Sequence, residues 1–169
     1  MNIKKSYERI LYRRNPIKAL KKKGLKVGKN FAMMPGVFID QGHTSHIEIG
    51  DDVTLAPRAM IFSHDASTAK SLKATKIAKT IIGNNVYIGA AAIILPDVHI
   101  GDNTIIGAGS VVTKDIPSNV VCAGNPAKIL MTMEEFKLKR LKEMENNPKF
   151  PKKNKSNNTR EIDRIGYVI

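Results

Sequence analysis

The chain has no tryptophan, a single cysteine, and aromatic residues at only 5% of its 169 positions. So few large rings exclude a sandwich packed around aromatics. With 42% apolar residues, the core has to be built from small and β-branched side chains stacked in number. The lone Cys122 can form no disulfide within the chain, which suits a reducing compartment. No apolar run approaches the ~20 residues of a spanning helix. The opening MNIKKSYERILYRRNPIKALKKK also lacks the uninterrupted apolar segment of a secretory signal. The expected location is therefore cytoplasmic.

Acidic residues are scarce as well, 15 against 28 Lys and Arg, for a net charge of +13. Residues 1–30 carry eleven bases against Glu8 alone, and residues 131–169 carry ten bases against six acids. The middle, 31–130, balances seven bases with eight acids. A nucleic-acid groove usually sets its bases on the folded surface, whereas here they lie in the flanks.

What the middle does have is a period of six. Ile82, Ile88, Ile94, Ile100, Ile106 and Val112 head successive hexads, with glycine second at Gly83, Gly89, Gly101 and Gly107. The fifth place holds the small or β-branched Val86, Ala92, Val98, Thr104 and Ser110. Ile49, Leu55 and Ile61 head an earlier block, and Val27, Met33 and Ile39 a still earlier one. Helices repeat every three to four residues and half-buried strands every two. An ordinary all-β domain with turns every 8–12 residues does not repeat at six either. A hexad fits one short strand plus one turn, three to a triangular coil, and residues 27–116 make about five coils. Four extra residues fall around GHTSH and about fifteen within FSHDASTAKSLKATKIAKT, and such insertions emerge as loops, often on a binding face.

The flanks read differently. Residues 1–24 form a basic N-terminal segment in which Ser6 to Leu20 can make a short helix broken near Pro16. The repeat domain spans 25–131 with an inserted loop at 63–80. Thr132 to Glu135 is a capping box opening a helix over 132–146, expected to cover the last coil, and 147–169 is a polar, Pro-interrupted basic tail.

The hexads, together with IGAGSVVTKDIPSNVVCAGNPAKIL, resemble the hexapeptide-repeat acyltransferases over about residues 25–130. The branch most similar O-acetylates sugars and antibiotics, with maltose, galactoside and capsular-polysaccharide acetyltransferases among its members. The run ending in AGNPAK belongs to the acetyl-CoA-using members. The resemblance implies an all-β fold, a left-handed parallel β-helix, which is an exception to the right-handed crossover rule. It also implies a homotrimer with active sites between neighbours, acetyl-CoA as co-substrate, and no metal.

The resemblance places the catalytic histidine at the mouth of the long insertion, here His64 in MIFSHDAST. A histidine suits removal of the acceptor's proton, with a backbone N–H such as that of Ala90 stabilising the oxyanion. Asp40 matches a position near the acceptor pocket, and Asp65 is a candidate for orienting the site; both are carried as weak substrate-binding residues. His43 and His46 flank the short insertion and read as surface polar residues rather than substrate contacts. Tyr87 matches an aromatic position beside the pantetheine, and Gly89, Ala90, Gly107 and Ala108 match small residues that let backbone approach it. Thr113, Lys114 and Lys128 match the nucleotide end, although Met131 stands where the family often has a further base. MMPG at 33–36 replaces a stretch with Asn in the maltose and galactoside members, which leaves the acceptor open.

Trimeric carbonic anhydrases share this fold and hold zinc through three histidines. His64 and His99 have a suggestive spacing, but the third place is Thr104, and two histidines do not close a catalytic zinc site. The expected function is acetyl-CoA-dependent O-acetylation of a saccharide, with a polysaccharide precursor as the expected acceptor. Amino-sugar N-acetylation is an alternative, as is a non-catalytic trimeric scaffold or nucleic-acid binder using the basic flanks. The N-terminal segment suits either a solvated cap or contact with an anionic membrane surface.

Overall fold

The computed structural model describes residues 15–146. The hexads fold as strands of two or three residues, three to a coil. The first coil runs through Lys26–Val27 (β1), Ala32–Met33 (β2) and Phe38–Ile39 (β3), the second through Ile47–Ile49 (β4), Thr54–Leu55 (β5) and Met60–Ile61 (β6). The third holds Thr80–Ile82 (β9), Tyr87–Ile88 (β10) and Ile93–Ile94 (β11), the fourth His99–Ile100 (β12), Ile105–Ile106 (β13) and Val111–Val112 (β14). Each strand pairs in parallel with its counterpart one coil away, which makes three faces. Sheet 1 is β1-β4-β9-β12 and sheet 3 is β3-β6-β11-β14. Sheet 2, β2-β5-β10-β13, continues into Val120–Ala123 (β15) and ends with Lys128–Thr132 (β16), which turns back antiparallel.

A two-residue strand has one residue facing in and one facing out, and the head of each hexad faces in. Leu55, Ile88, Ile106 and Cys122 are stacked in register along sheet 2, and Ile61, Ile94 and Val112 along sheet 3. All are fully buried, each isoleucine contributing about 1.5–3 kcal/mol by leaving water. The fifth place is buried too, from Val53 and Ala59 to Val86, Ala92 and Val98. Where it becomes polar, the hydroxyl is satisfied: Ser110 Oγ donates to the Gly107 carbonyl at 2.7 Å, and Thr104 Oγ1 to that of Asp102 at 3.1 Å.

The corner between sheets 1 and 2 explains the recurring Asn. Asn85, Asn103 and Asn119 adopt the left-handed conformation (φ 52°, 54° and 65°), which Asn tolerates better than most residues. Their amides form a ladder, Asn85 Nδ2 donating to Asn103 Oδ1 at 2.9 Å and Asn103 Nδ2 to Asn119 Oδ1 at 2.7 Å. At the next corner, a Cβ on Gly89 would lie 2.5 Å from the Ala108 nitrogen, so only glycine allows that spacing between coils.

Both insertions leave from the third corner, between sheets 3 and 1. The shorter, between β3 and β4, contains a 3-10 turn at Thr44–His46. The longer, between β6 and β9, is a hairpin rather than a plain loop: His64–Asp65 (β7) pairs antiparallel with Lys76–Ile77 (β8), and Thr80 already belongs to β9. Lys76 pairs with Asp97 and Lys79 with Glu48, at 2.9 and 2.8 Å, along its returning arm.

The N-terminal helix α1 is Pro16–Lys22. It begins at Pro16, whose missing N–H falls in the first turn where none is needed. Asn15 caps it by accepting from the Lys18 N–H at 3.0 Å, and Leu20 is buried in the core. The rest of the proposed Ser6–Leu20 helix and the 147–169 tail lie outside the described residues. The capping box forms as expected, with the Glu135 N–H donating to Thr132 Oγ1 at 3.2 Å and the Thr132 N–H to Glu135 Oε2 at 2.7 Å. It opens α2, Met133–Asn146. Contacts divide the chain after Phe136, so α2 from Lys137 onward belongs to a second unit.

Replacing Asn103 by alanine should cost about 1–3 kcal/mol in a urea titration, combining the left-handed penalty with lost ladder bonds. Asn103→Gly should cost about 1 kcal/mol less, since glycine carries no such penalty. Equal losses would mean that the backbone geometry is not what asparagine supplies.

Candidate active site

Ile39 and Ile61 occupy the same inward position one coil apart, and each is followed by an insertion. That register sets Asp40 beside residues 62–64, its N–H donating to the Ile61 carbonyl at 2.9 Å. The Asp40 carboxylate is 1% exposed and fully engaged. One oxygen accepts from the Gly42 N–H at 3.0 Å, and the other from the Ser63 N–H and hydroxyl at 3.2 and 3.0 Å. That second oxygen also holds Nδ1 of His64. Burial pushes the Asp40 carboxyl up, but the hydrogen bonds from His64, Ser63 and Gly42 outweigh it and hold it below its ordinary value.

A carboxylate can only accept, so the hydrogen of the neutral His64 imidazole is assigned to Nδ1 and the lone pair to Nε2. The side chain is 33% exposed. The tautomer of the ring is thus set by a buried carboxylate, and Nε2 is left as an acceptor.

The expectations for the two aspartates need correcting. Asp40, read as a substrate contact, lies behind His64 with no free oxygen to offer. Asp65, read as an orienting group, is exposed and turned into its own loop, accepting from the Ser67 N–H at 2.8 Å. That bond holds its carboxyl below the ordinary value. Ser63 was not anticipated. Its position two residues after the buried Ile61 was the available signal, because the register of Ile39 with Ile61 sets it within one residue of the position opposite Asp40.

The short insertion is locked to the same groups. Thr44 Oγ1 donates to the Asp40 carbonyl at 2.9 Å, and the His43 carbonyl lies 3.0 Å from Ser63 Oγ, sharing its single hydrogen with the Asp40 carboxylate. His43 and His46 are half-buried rather than loose surface groups, and the His43 ring packs against that of His64 with centroids 5.0 Å apart.

The remaining candidates occupy two corners. Tyr87 faces outward on β10, 45% exposed. Gly89 and Ala90 follow it at the corner between sheets 2 and 3, with Gly107 and Ala108 at the same corner one coil on. Pro35 and Pro57 hold the position of Ala90 and Ala108 in the first two coils, so its N–H is dispensable to the ladder. Among the described residues the N–H groups of Ala90 and Ala108 have no acceptor. Two unspent donors beside small side chains, one coil apart, fit an extended amide-bearing chain such as pantetheine. Thr113 and Lys114 follow β14 at the corner that carries His64, two coils on, and Lys128 opens β16; all three are exposed. Within one chain, therefore, His64 and the Ala90 donors lie at opposite edges of sheet 3. Cys122 is buried, which pushes its thiol up and away from reactivity. His99 faces outward on β12, and among the described residues no group of three His, Cys, Asp or Glu gathers to hold a metal.

Known proteins share this fold and these repeats. Residues 79–114 match the family described as bacterial transferase hexapeptide (six repeats). The chain is 37% identical to protein CapG of Staphylococcus aureus over 142 residues, 81% of this chain and 83% of CapG. It is 38% identical to galactoside O-acetyltransferase of Escherichia coli over 117 residues, 66% of this chain but only 55% of that protein. Among solved structures, a galactoside acetyltransferase in complex with coenzyme A superimposes with a TM-score of 0.60 at 33% identity, covering 72% of this chain and 71% of the other. The fold they share is the left-handed parallel β-helix.

Asp40→Asn should lower kcat by on the order of 10²-fold or more, because an amide can donate to Nδ1 and move the hydrogen to Nε2. KM for acetyl-CoA should hold. The ionised Asp40 stabilises the fold above its unfolded pKa of about 4, and this contribution is lost as pH falls through the lower folded value. Asp40→Asn should therefore lose less stability than wild type when urea midpoints are followed from neutral pH to below that range.

Proposed function

The chain belongs to the hexapeptide-repeat acetyltransferase family, an acyltransferase with acetyl-CoA as co-substrate, and from that premise we propose that it acetylates a saccharide hydroxyl with His64 as general base. The observation that carries this reading is the buried Asp40 carboxylate on His64 Nδ1, which leaves Nε2 free to take a proton.

Acetyl-CoA supplies the activated acyl group. The chain's own work is to deprotonate the acceptor and to hold both substrates. His64 Nε2 accepts the hydroxyl proton as the oxygen attacks, and Asp40 keeps Nδ1–H in place and stabilises the imidazolium that forms. The Ala90 N–H is the candidate donor for the negative charge that develops on the acyl oxygen. No covalent enzyme intermediate is needed.

Because His64 and Ala90 stand on different corners, one chain does not complete the site. Two copies packed side by side would bring the His64 corner of one to the Ala90 corner of the other, and a homotrimer would do this three times. In that cleft Tyr87, Gly89, Gly107 and Ala108 would flank the pantetheine, and Thr113, Lys114 and Lys128 would meet the nucleotide end. A saccharide acceptor is supported by the galactoside acetyltransferases that the chain resembles.

Contact with an anionic membrane is part of the same proposal. Ala19 and Leu20 are buried while Lys18, Lys21 and Lys23 are exposed, so α1 offers charge rather than an apolar face. Binding should then be lost at high salt, and equal co-sedimentation with neutral and anionic liposomes would refute it.

The activity is tested by thiol release from acetyl-CoA across methyl glycosides of neutral sugars, uronic acids and amino sugars. Acceptor-dependent release should fall by about 10²–10⁴-fold in His64→Ala, with CoA binding retained by calorimetry. CoA binding by neither protein would point instead to a non-catalytic scaffold.

A further inference from the structure

The ring nitrogens of His43 have no hydrogen-bond partner among the described residues. Among the described residues its polar contacts run through the main-chain carbonyl, which accepts from Ser63 Oγ and from the His46 N–H, both at 3.0 Å. Its ring packs against that of His64 at 5.0 Å with an interplanar angle of 58°, and against that of His46 at 6.3 Å, edge-on. No buried side-chain nitrogen or oxygen lacks a partner among the described residues, so the unpaired nitrogens of this half-buried ring are open to solvent. Metal binding does not account for them, since no cluster of three ligating side chains forms there.

A solvated histidine on a free loop would need no explanation. This one is held on both sides by other imidazoles, in an insertion bonded to Asp40 and Ser63, the two residues that also position His64. Ordering it costs little at binding, because the backbone is already fixed.

We infer that His43 binds the acceptor, its ring hydrogen-bonding a second hydroxyl next to the one acetylated, so that the site selects saccharides presenting two neighbouring hydroxyls. This rests on the acetyltransferase reading above. A neutral imidazole carries one donor and one acceptor nitrogen, which matches a hydroxyl in either role. Two imidazoles this close can hold oxygens on adjacent ring carbons, each at ordinary hydrogen-bond length. His64 takes the proton of the attacking hydroxyl, and His43 fixes the sugar ring so that this hydroxyl is the one presented.

The test uses the full-length protein, the methyl glycoside with the highest turnover in the panel, and its mono-deoxy analogues. Wild type is compared with His43→Phe, which keeps a ring against His64 but removes the nitrogens, and with His43→Gln, which keeps a donor and an acceptor. In His43→Phe the acceptor KM should rise about ten-fold with KM for acetyl-CoA unchanged, and His43→Gln should recover part of that loss. One deoxy analogue that retains the reacting hydroxyl should be about ten-fold poorer than its parent with wild type, yet nearly equal to it with His43→Phe. The inference is overturned if His43→Phe leaves the acceptor KM unchanged, or if every deoxy analogue loses as much with the variant as with wild type. Wild type without turnover on any glycoside, or His64→Ala with full turnover, would instead defeat the proposed His64-dependent acetylation of saccharides and the inference with it.

Discussion

Parallel stacking in register, one inward residue per two-residue strand, is the constraint on which everything else in this protein rests. Because Ile61 lies against Ile94 and Ile94 against Val112, whatever follows one of these residues is set over whatever follows the next. A coil cannot slip by one residue without turning every head outward and every outward residue in. The three corners therefore become columns, each with its own chemistry. One holds the left-handed Asn ladder, one the small residues with unspent N–H groups, and one both insertions.

The buried polar groups follow from the same geometry. Asp40 could not remain a carboxylate at 1% exposure without partners. The neighbouring coil supplies them through Ser63 and His64, and its own insertion through Gly42. A histidine on a mobile loop would lose rotamer freedom at each turnover. Here the hairpin base and the carboxylate hold the ring before any substrate arrives. The short insertion is bound into that arrangement through Thr44 and the His43 carbonyl, so the two inserted segments act as one wall.

Much of the fold was legible because its period is unusual. The heads from Ile82 to Val112, the small fifth-place residues and the two breaks in spacing all fall where the structure has inward positions, corners and insertions. The capping box at Thr132 was legible for the same reason, a local pattern with a local cause. Legibility failed where a side chain answers to something distant in sequence. Asp65 was the natural choice for orienting His64 because it is adjacent, yet adjacent strand residues face opposite ways, and the carboxylate comes from Asp40, 24 residues away.

The amino-acid sequence by itself determined the coil: hexad spacing, small residues at the corners, and a core without large rings admit this winding and little else. It also determined which histidine stands at the mouth of the long insertion. Only the tertiary structure decided what that histidine touches. The distance between Asp40 and His64 is set by the rise from one coil to the next, and the pairing of His43 with His64 by where two insertions emerge from one corner. Neither quantity exists along the chain, because both arise from closing the triangle.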